Sequence, residues 1–153
     1  MEIERKFLLI AEPPGLSGAP RHYIKQGYLV ATAGREIRLR MRDDEYFLTV
    51  KDGSGLERSE TELAISKSQF DTLWPLTRGH RIKKTRYLVP WEGLTVEVDV
   101  YEDDLAPLRI AEVEFASREQ SQSFIKPPFL GIEVTGRREY SNAHLASTGL
   151  TGK

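Results

Sequence analysis

Residues 36–44 read Glu36-Ile37-Arg38-Leu39-Arg40-Met41-Arg42-Asp43-Asp44. In an extended chain, successive side chains point to opposite faces. Glu36, Arg38, Arg40 and Arg42 therefore share one face, and Ile37, Leu39 and Met41 share the other. Three apolar residues at alternate positions give a strand with a core side. Asp43-Asp44 links this run to the next one closely enough for a hairpin. In that second run Thr49 and Lys51 oppose Leu48 and Val50.

The pattern extends outward from this hairpin in both directions. At the start of the chain, Glu2, Glu4 and Lys6 point one way and Ile3, Arg5 and Phe7 the other. Arg58, Glu60 and Glu62 share a face. Lys84 and Arg86 oppose Thr85 and Tyr87. Glu97 and Asp99 oppose Val96, Val98 and Val100, and Glu112 and Glu114 oppose Val113 and Phe115. Strands are expected over 2–9, 22–31, 35–43, 45–52, 56–64, 82–89, 94–101, 109–116 and 132–136. Asp52-Gly53-Ser54-Gly55 joins one pair, and Pro90 to Gly93 ends a strand and opens a turn.

Three helices are expected. Ser66 with Gln69 forms a capping-box pattern ahead of Phe70, Leu73 and Trp74. Ser117 with Gln120 repeats it ahead of Phe124 and Ile125, with Pro127-Pro128 as the stop. Asn142 caps a last short helix through Leu145, and residues 11–20 read as a loop. The expected class is mainly β (α+β): antiparallel strands with a few packing helices, not alternating βαβ units.

Length and composition bound the function. At 153 residues, one domain spanning 1–153 is expected. The chain has no cysteine, which excludes disulfides, thiolate metal sites and thiol catalysis, and fits a reducing cytoplasm. Neither a signal peptide nor a membrane span is expected. The net charge of −1 argues against nucleic acid as a general partner.

The charged faces carry the functional signal. One reading is a sheet with one wet face and one core face. A closed barrel of about eight strands instead turns those faces toward a shared interior wide enough for one small ligand. Charges withdrawn from bulk water need partners. The carboxylates suit Mg²⁺ or Mn²⁺, and the arginines and lysines suit phosphate oxygens. That interior would take a compact polyanion together with a divalent metal.

These residues resemble the CYTH superfamily, the triphosphate tunnel metalloenzymes, and within it the small bacterial inorganic triphosphatases. The likeness begins at Glu2-x-Glu4-x-Lys6. It continues through Gln26-Gly27-Tyr28-Leu29, Arg38-Leu39-Arg40, Leu48-Thr49-Val50-Lys51, Lys84-Thr85-Arg86-Tyr87, Glu97-Val98-Asp99, Glu112-Val113-Glu114-Phe115 and Leu130-Gly131-x-Glu133-Val134-Thr135. It covers residues 2 to 146 in order. The resemblance implies a closed eight-stranded antiparallel tunnel with helices packed on its outside. It implies Glu2, Glu4 and Glu114 as metal ligands, assisted by Glu112 and Asp99. Lys6, Arg38, Arg40, Lys51, Lys84 and Arg86 would then bind the phosphates. The reaction implied is Mg²⁺- or Mn²⁺-dependent hydrolysis of inorganic triphosphate to pyrophosphate and phosphate.

Within that reading, one of Glu2, Glu4, Glu112 or Glu114 takes the proton, since clustered carboxylates raise one another's pKa. Tyr28 either orients the nucleophile or packs as a strand aromatic. The family also holds class IV adenylyl cyclases and thiamine triphosphatases, so another triphosphate-containing small molecule is an alternative substrate. A non-catalytic polyphosphate- or nucleotide-binding module is a further alternative. A homodimer is allowed by the sequence. Roles for Arg58, Glu60 and Glu62 are left open. Trp74 is expected in the core. Arg5, Lys83 and the Arg137-Arg138 pair are expected in solvent, and His22, His80 and His144 carry no metal-ligand spacing.

Overall fold

A computed structural model describes residues 3–53 and 59–150. The strands are β1 (Ile3–Leu9), β2 (Arg21–Ala31), β3 (Arg35–Arg42), β4 (Glu45–Asp52), β5 (Ser59–Ile65), β6 (Arg81–Trp91), β7 (Leu94–Tyr101), β8 (Arg109–Phe115) and β9 (Leu130–Glu133). The helices are α1 (Lys67–Leu73), α2 (Arg118–Ser123) and α3 (Asn142–Thr148). Contacts gather the chain into two compact units: residues 3–22 with 84–140, and residues 23–83 with 141–150.

In the first unit the strand order is β6-β7-β8-β1-β9, antiparallel where β1 meets β8 and β9 and where β7 meets β6 and β8. One face is apolar. Phe7, Val89, Val96, Val98, Ala111, Val113 and Phe115 form a core with Leu16 and Ala19 from the loop at 11–20 and with Phe129 and Leu130. The loop is therefore a lid on this face, and it contains a short 3₁₀ turn at Leu16–Gly18. In the second unit the order is β5-β4-β3-β2. There Leu39 is fully buried and α1 covers the outer face, with Phe70 5.0 Å from the Tyr46 ring.

The tight turns follow from the sequence. Asp43, at φ 55, clamps the end of β2: its Oδ1 accepts from the Tyr23 N–H at 2.9 Å. Glu92 and Gly93, at φ 46 and 79, form the two-residue link between β6 and β7. Positive φ at both positions is what a type I′ hairpin turn demands, and glycine adopts it without strain.

The expected architecture needs correction in several places. Among the described residues the strands number nine, and the sheet does not close into an eight-stranded barrel. Closure would need the free edge of β1, but the short strand β9 occupies it, with Phe7 opposite Glu133 and Leu9 opposite Leu130. β5 likewise pairs only with β4 among the described residues. β6 runs on through Pro90 and Trp91, paired with Thr95 and Leu94. Pro90 is exposed beside the turn, where a missing N–H is tolerated.

The helix ends also differ. Ser66 and Gln69 do form the reciprocal capping box of α1, at 3.0 and 2.9 Å. Ser117 caps α2, but the helix stops at Ser123, well before the prolines. Phe124 leaves helical geometry and turns its ring against Phe7 and Phe115, at 6.1 and 5.2 Å between centroids. Burying the ring outweighs one more helical residue. Ser141, not Asn142, caps α3, accepting from the His144 N–H at 3.2 Å, and the helix runs to Thr148.

Candidate active site

The alternation of charged and apolar strand faces holds in both units. In the first unit the side opposite the apolar core carries the charges, and the register sets them in rows. Glu4 lies opposite Glu114, and Lys6 opposite Glu112. Glu112 lies opposite Glu97, and Asp99 opposite Arg86. Lys84 precedes Arg86 by two residues and lies on the same side of β6.

Asp99 organises the basic end of this face. It is buried, as is Lys84, which has no exposed surface. The Lys84 Nζ donates to Asp99 Oδ2 at 2.7 Å. Arg86 donates through Nε to Oδ1 at 2.8 Å and through Nη2 to Oδ2 at 3.0 Å. Burial alone would raise the Asp99 pKa, but Lys84 and Arg86 outweigh it and pull the value down to about 2. Burial also works against the charge of Arg86, yet Asp99, Glu97 and Glu112 raise its pKa on balance. Both shifts favour the charged forms of Asp99 and Arg86, and the three bonds to Asp99 hold Lys84 and Arg86 in fixed positions.

The acidic end is less satisfied. Glu97 is half-buried, and its pKa is raised, first by burial and also by its neighbours Glu112 and Asp99. Lys6 Nζ is 3.8 Å from Glu112 Oε1 and donates to the Tyr140 carbonyl at 3.3 Å. Like charges directly across an antiparallel pair repel, and this face holds two such pairs, Glu4 with Glu114 and Glu97 with Glu112. A cleft of about 420 Å³ opens beside them, lined by Thr95, Glu97, Glu114 and Gln120 among others.

In the second unit the charged side is built on β2 to β5. Tyr28 lies opposite Arg38, Arg38 opposite Thr49, and Thr49 opposite Glu62. Gln26 lies opposite Arg40, and Lys51 sits between Glu36 and Glu60. A buried chain fixes Arg40: its Nε donates to Gln26 Oε1 at 2.9 Å, and Gln26 Nε2 donates to the Tyr28 hydroxyl at 2.8 Å. Burial pushes the Tyr28 phenol up to about 12. Lys51 Nζ is 3.9 Å from Glu36 Oε2.

Arg38 is different. It is 7% exposed, and its one bond among the described residues is a long 3.5 Å contact from Nη2 to Thr49 Oγ1. Thr49 in turn donates to Glu62 Oε1 at 3.0 Å. The Arg38 Nε is buried with no partner among the described residues. A guanidinium withdrawn from water with unused donors calls for an anion.

The structure therefore sets Glu4, Lys6, Lys84, Arg86, Asp99, Glu112 and Glu114 on one charged face, and Tyr28, Arg38, Arg40 and Lys51 on another. Glu2 and Arg58 lie outside the described residues. Glu97, Gln26, Thr49 and Glu36 join the faces without having been assigned a role. Their signal was the parity they share with Asp99, Tyr28, Lys51 and Arg38. Arg5 is a correction. It is on the side away from Glu4, as its parity requires, but it is only partly exposed. It forms a two-pronged pair with Glu133 at 2.7 and 3.0 Å, donates to the Ser121 carbonyl at 2.8 Å, and lies over the Phe7 and Phe124 rings. Trp74 is half-buried rather than core. Lys83 is exposed as expected.

The donor set suits a hard divalent cation, since it consists of carboxylate oxygens whose mutual repulsion such an ion would relieve. No three acidic or histidine side chains converge on one point among the described residues. The carboxylates of this face come as opposed pairs, Glu4 with Glu114 and Glu97 with Glu112.

The CYTH domain family matches residues 1–126. An inorganic triphosphatase of Nitrosomonas europaea is 46% identical over 149 residues, covering 95% of this chain and 96% of that protein. An inorganic triphosphatase of Acetivibrio thermocellus is 34% identical over 146 residues, covering 94% and 92%. Among solved structures, that of the inorganic triphosphatase NE1496 superimposes with a TM-score of 0.80 at 41% identity, over 99% of this chain and 97% of that one.

Proposed function

Since the chain belongs to the CYTH domain family, we propose that it hydrolyses inorganic triphosphate to pyrophosphate and orthophosphate. The observation that carries this reading is Arg38, a nearly buried guanidinium whose Nε has no partner, and whose only bond is weak, among the described residues. A phosphate oxygen is the anion whose geometry matches the planar fork of an arginine.

Phosphoryl transfer needs positioning and charge neutralisation more than covalent help from the protein. Arg38 and Arg40 on the second unit, with Lys51, would bind non-bridging oxygens. Lys6, Lys84 and Arg86, on the charged face of the first unit, are a second set of cations suited to phosphate oxygens. Asp99 holds Lys84 and Arg86 aimed before substrate arrives, so little reorganisation is left for the reaction itself. Water attacks a terminal phosphorus, the bridging P–O bond breaks, and the pyrophosphate leaves with that oxygen. Glu4 and Glu114, with Glu2 and Glu112, would hold Mg²⁺ or Mn²⁺. Such an ion supplies positive charge to the anhydride oxygens and favours an ionised water. Asp99, with both oxygens engaged by cations, serves as their counter-ion rather than as a metal ligand.

The test is phosphate release from triphosphate, ATP and thiamine triphosphate in parallel, with Mg²⁺, with Mn²⁺ and with EDTA. Turnover of triphosphate that outpaces both organic compounds and stops with EDTA supports the proposal. Undiminished turnover in EDTA removes the metal from it, and preference for ATP redirects it to nucleotide chemistry.

A further inference from the structure

The second unit carries another group of cations, gathered around Trp74. Lys25 stands next to Gln26 on β2 and so points to the opposite side from the Gln26–Arg40 chain. Its Nζ lies 4.5 Å from the centre of the Trp74 ring, and the Arg81 guanidinium carbon lies 4.5 Å from the same centre. Phe70 stacks on that ring at 5.0 Å. Arg81 is fixed further, through Nε to Thr77 Oγ1 at 2.9 Å and through Nη2 to the Trp74 carbonyl at 2.8 Å. Lys67, Arg78 and Lys83 are exposed nearby.

Of these five cations only Lys67 has a carboxylate within ion-pair distance among the described residues, Asp71 at 2.7 Å. Elsewhere in the chain Arg5, Arg35, Arg42 and Arg137 each meet a carboxylate at 2.7 to 3.4 Å. The cations around Trp74 also oppose one another. Lys25 is lowered in pKa by burial, then by Lys83 and Arg81, and Arg81 is lowered by burial and then by Arg78. In a chain of net charge −1, these five cations gather around one carboxylate among the described residues, Asp71, which pairs with Lys67 and also acts on Lys25.

We propose that the Trp74 cluster binds an inorganic polyphosphate chain, as an anion site separate from the charged strand faces. A linear polyanion can meet several cations at once and relieves their mutual repulsion. Single-stranded nucleic acid has a similar backbone but gains affinity by stacking its bases on free aromatic faces. Here Phe70, Lys25 and Arg81 occupy the faces of Trp74, so the cluster offers charge without a stacking platform. The choice of an inorganic chain rests on the triphosphatase reading, whereas the cluster itself does not.

Trp74 is its own reporter. In a Trp91→Phe protein its fluorescence is titrated with long-chain polyphosphate in EDTA. A saturable change is expected. The exposed double variant Arg78→Glu/Lys83→Glu, which touches neither Trp74 nor its packing, should bind roughly tenfold more weakly or worse. Lys25→Ala should lower the salt dependence by about one ion. Triphosphate turnover should be unchanged in both variants, and Arg38→Ala should bind polyphosphate as well as the parent does. This last result would hold even if the triphosphatase reading failed. Equal binding by the double variant, or loss of binding in Arg38→Ala alone, overturns the proposal. Tighter binding of a single-stranded oligonucleotide than of polyphosphate overturns the choice of ligand.

Discussion

Replacing Asp99 by asparagine should destabilise the protein strongly while leaving its shape almost unchanged. The carboxylate compensates Lys84, which has no exposed surface, and Arg86 through three bonds of 2.7 to 3.0 Å. Removing one partner of a buried ion pair leaves an uncompensated charge and costs about 3–5 kcal/mol. Titration gives a second route to the magnitude. The Asp99 pKa falls from an ordinary 3.8 to about 2, because Lys84 and Arg86 outweigh burial. A depressed carboxylate contributes stability above its unfolded value, and that stability is lost as pH falls through the folded one. A shift of this size corresponds to about 2–3 kcal/mol. The two routes overlap near 3 kcal/mol, and in a chain of this size each kcal/mol moves Tm by about 2–4 °C.

Thermal unfolding followed by circular dichroism at pH 7 should therefore show Asp99→Asn melting about 6–12 °C below wild type. The wild-type advantage should disappear between about pH 4 and pH 2. Adding Lys84→Met to Asp99→Asn should restore part of the loss, because an apolar replacement of a buried pair is often neutral. A loss below about 1 kcal/mol, or no change on adding Lys84→Met, would refute the counter-ion role of Asp99.

Three further perturbations test other parts of the account. Tyr28 has its phenol raised to about 12 by burial, so its stabilising contribution is complete below pH 10 and is lost as pH rises toward 12. Tyr28→Phe should flatten the alkaline limb of a stability–pH curve, and an unchanged limb contradicts the assignment. A Cβ at Gly27 would come within 2.6 Å of the Thr77 side chain, so Gly27→Ala should cost about 1–3 kcal/mol by urea denaturation. Arg5→Ala removes a half-exposed pair and its cover of two rings, and should cost about 1–2 kcal/mol without changing triphosphate turnover. A drop in turnover at full stability would assign Arg5 to the active site instead.

Strand positions and charged faces were legible because both depend on one local rule, the alternation of side chains along an extended chain. β3, with Glu36, Arg38 and Arg40 opposite Ile37 and Leu39, and β8, with Glu112 and Glu114 opposite Val113, fold as that rule requires. Closure was not legible. It depends on which strand occupies the outer edge of β1, a contact between residues more than a hundred positions apart. The end of α2 was missed for a similar reason, since burial of the Phe124 ring beside Phe7 is decided by tertiary packing.

Within the site, parity placed the charges but could not sort them. Asp99 and Glu97 have the same alternation and the same chemistry. Only the cross-strand register, with Arg86 opposite Asp99 and Glu112 opposite Glu97, makes one a satisfied counter-ion and the other a carboxyl with a raised pKa. Arg5 followed its parity, but its pairing with Glu133 depends on β9 lying beside β1.

The central claim is that buried, under-paired Arg38 is there to hold a phosphate of inorganic triphosphate. The most direct measurement is kcat/KM for release of orthophosphate and pyrophosphate from triphosphate, comparing wild type with Arg38→Ala at equal stability. The account predicts one pyrophosphate for each orthophosphate, and a fall of about 10²–10³ in the variant, the typical loss on removing one positioned donor to developing charge. Equal values for the two proteins, or no release of pyrophosphate by the wild type, would contradict it.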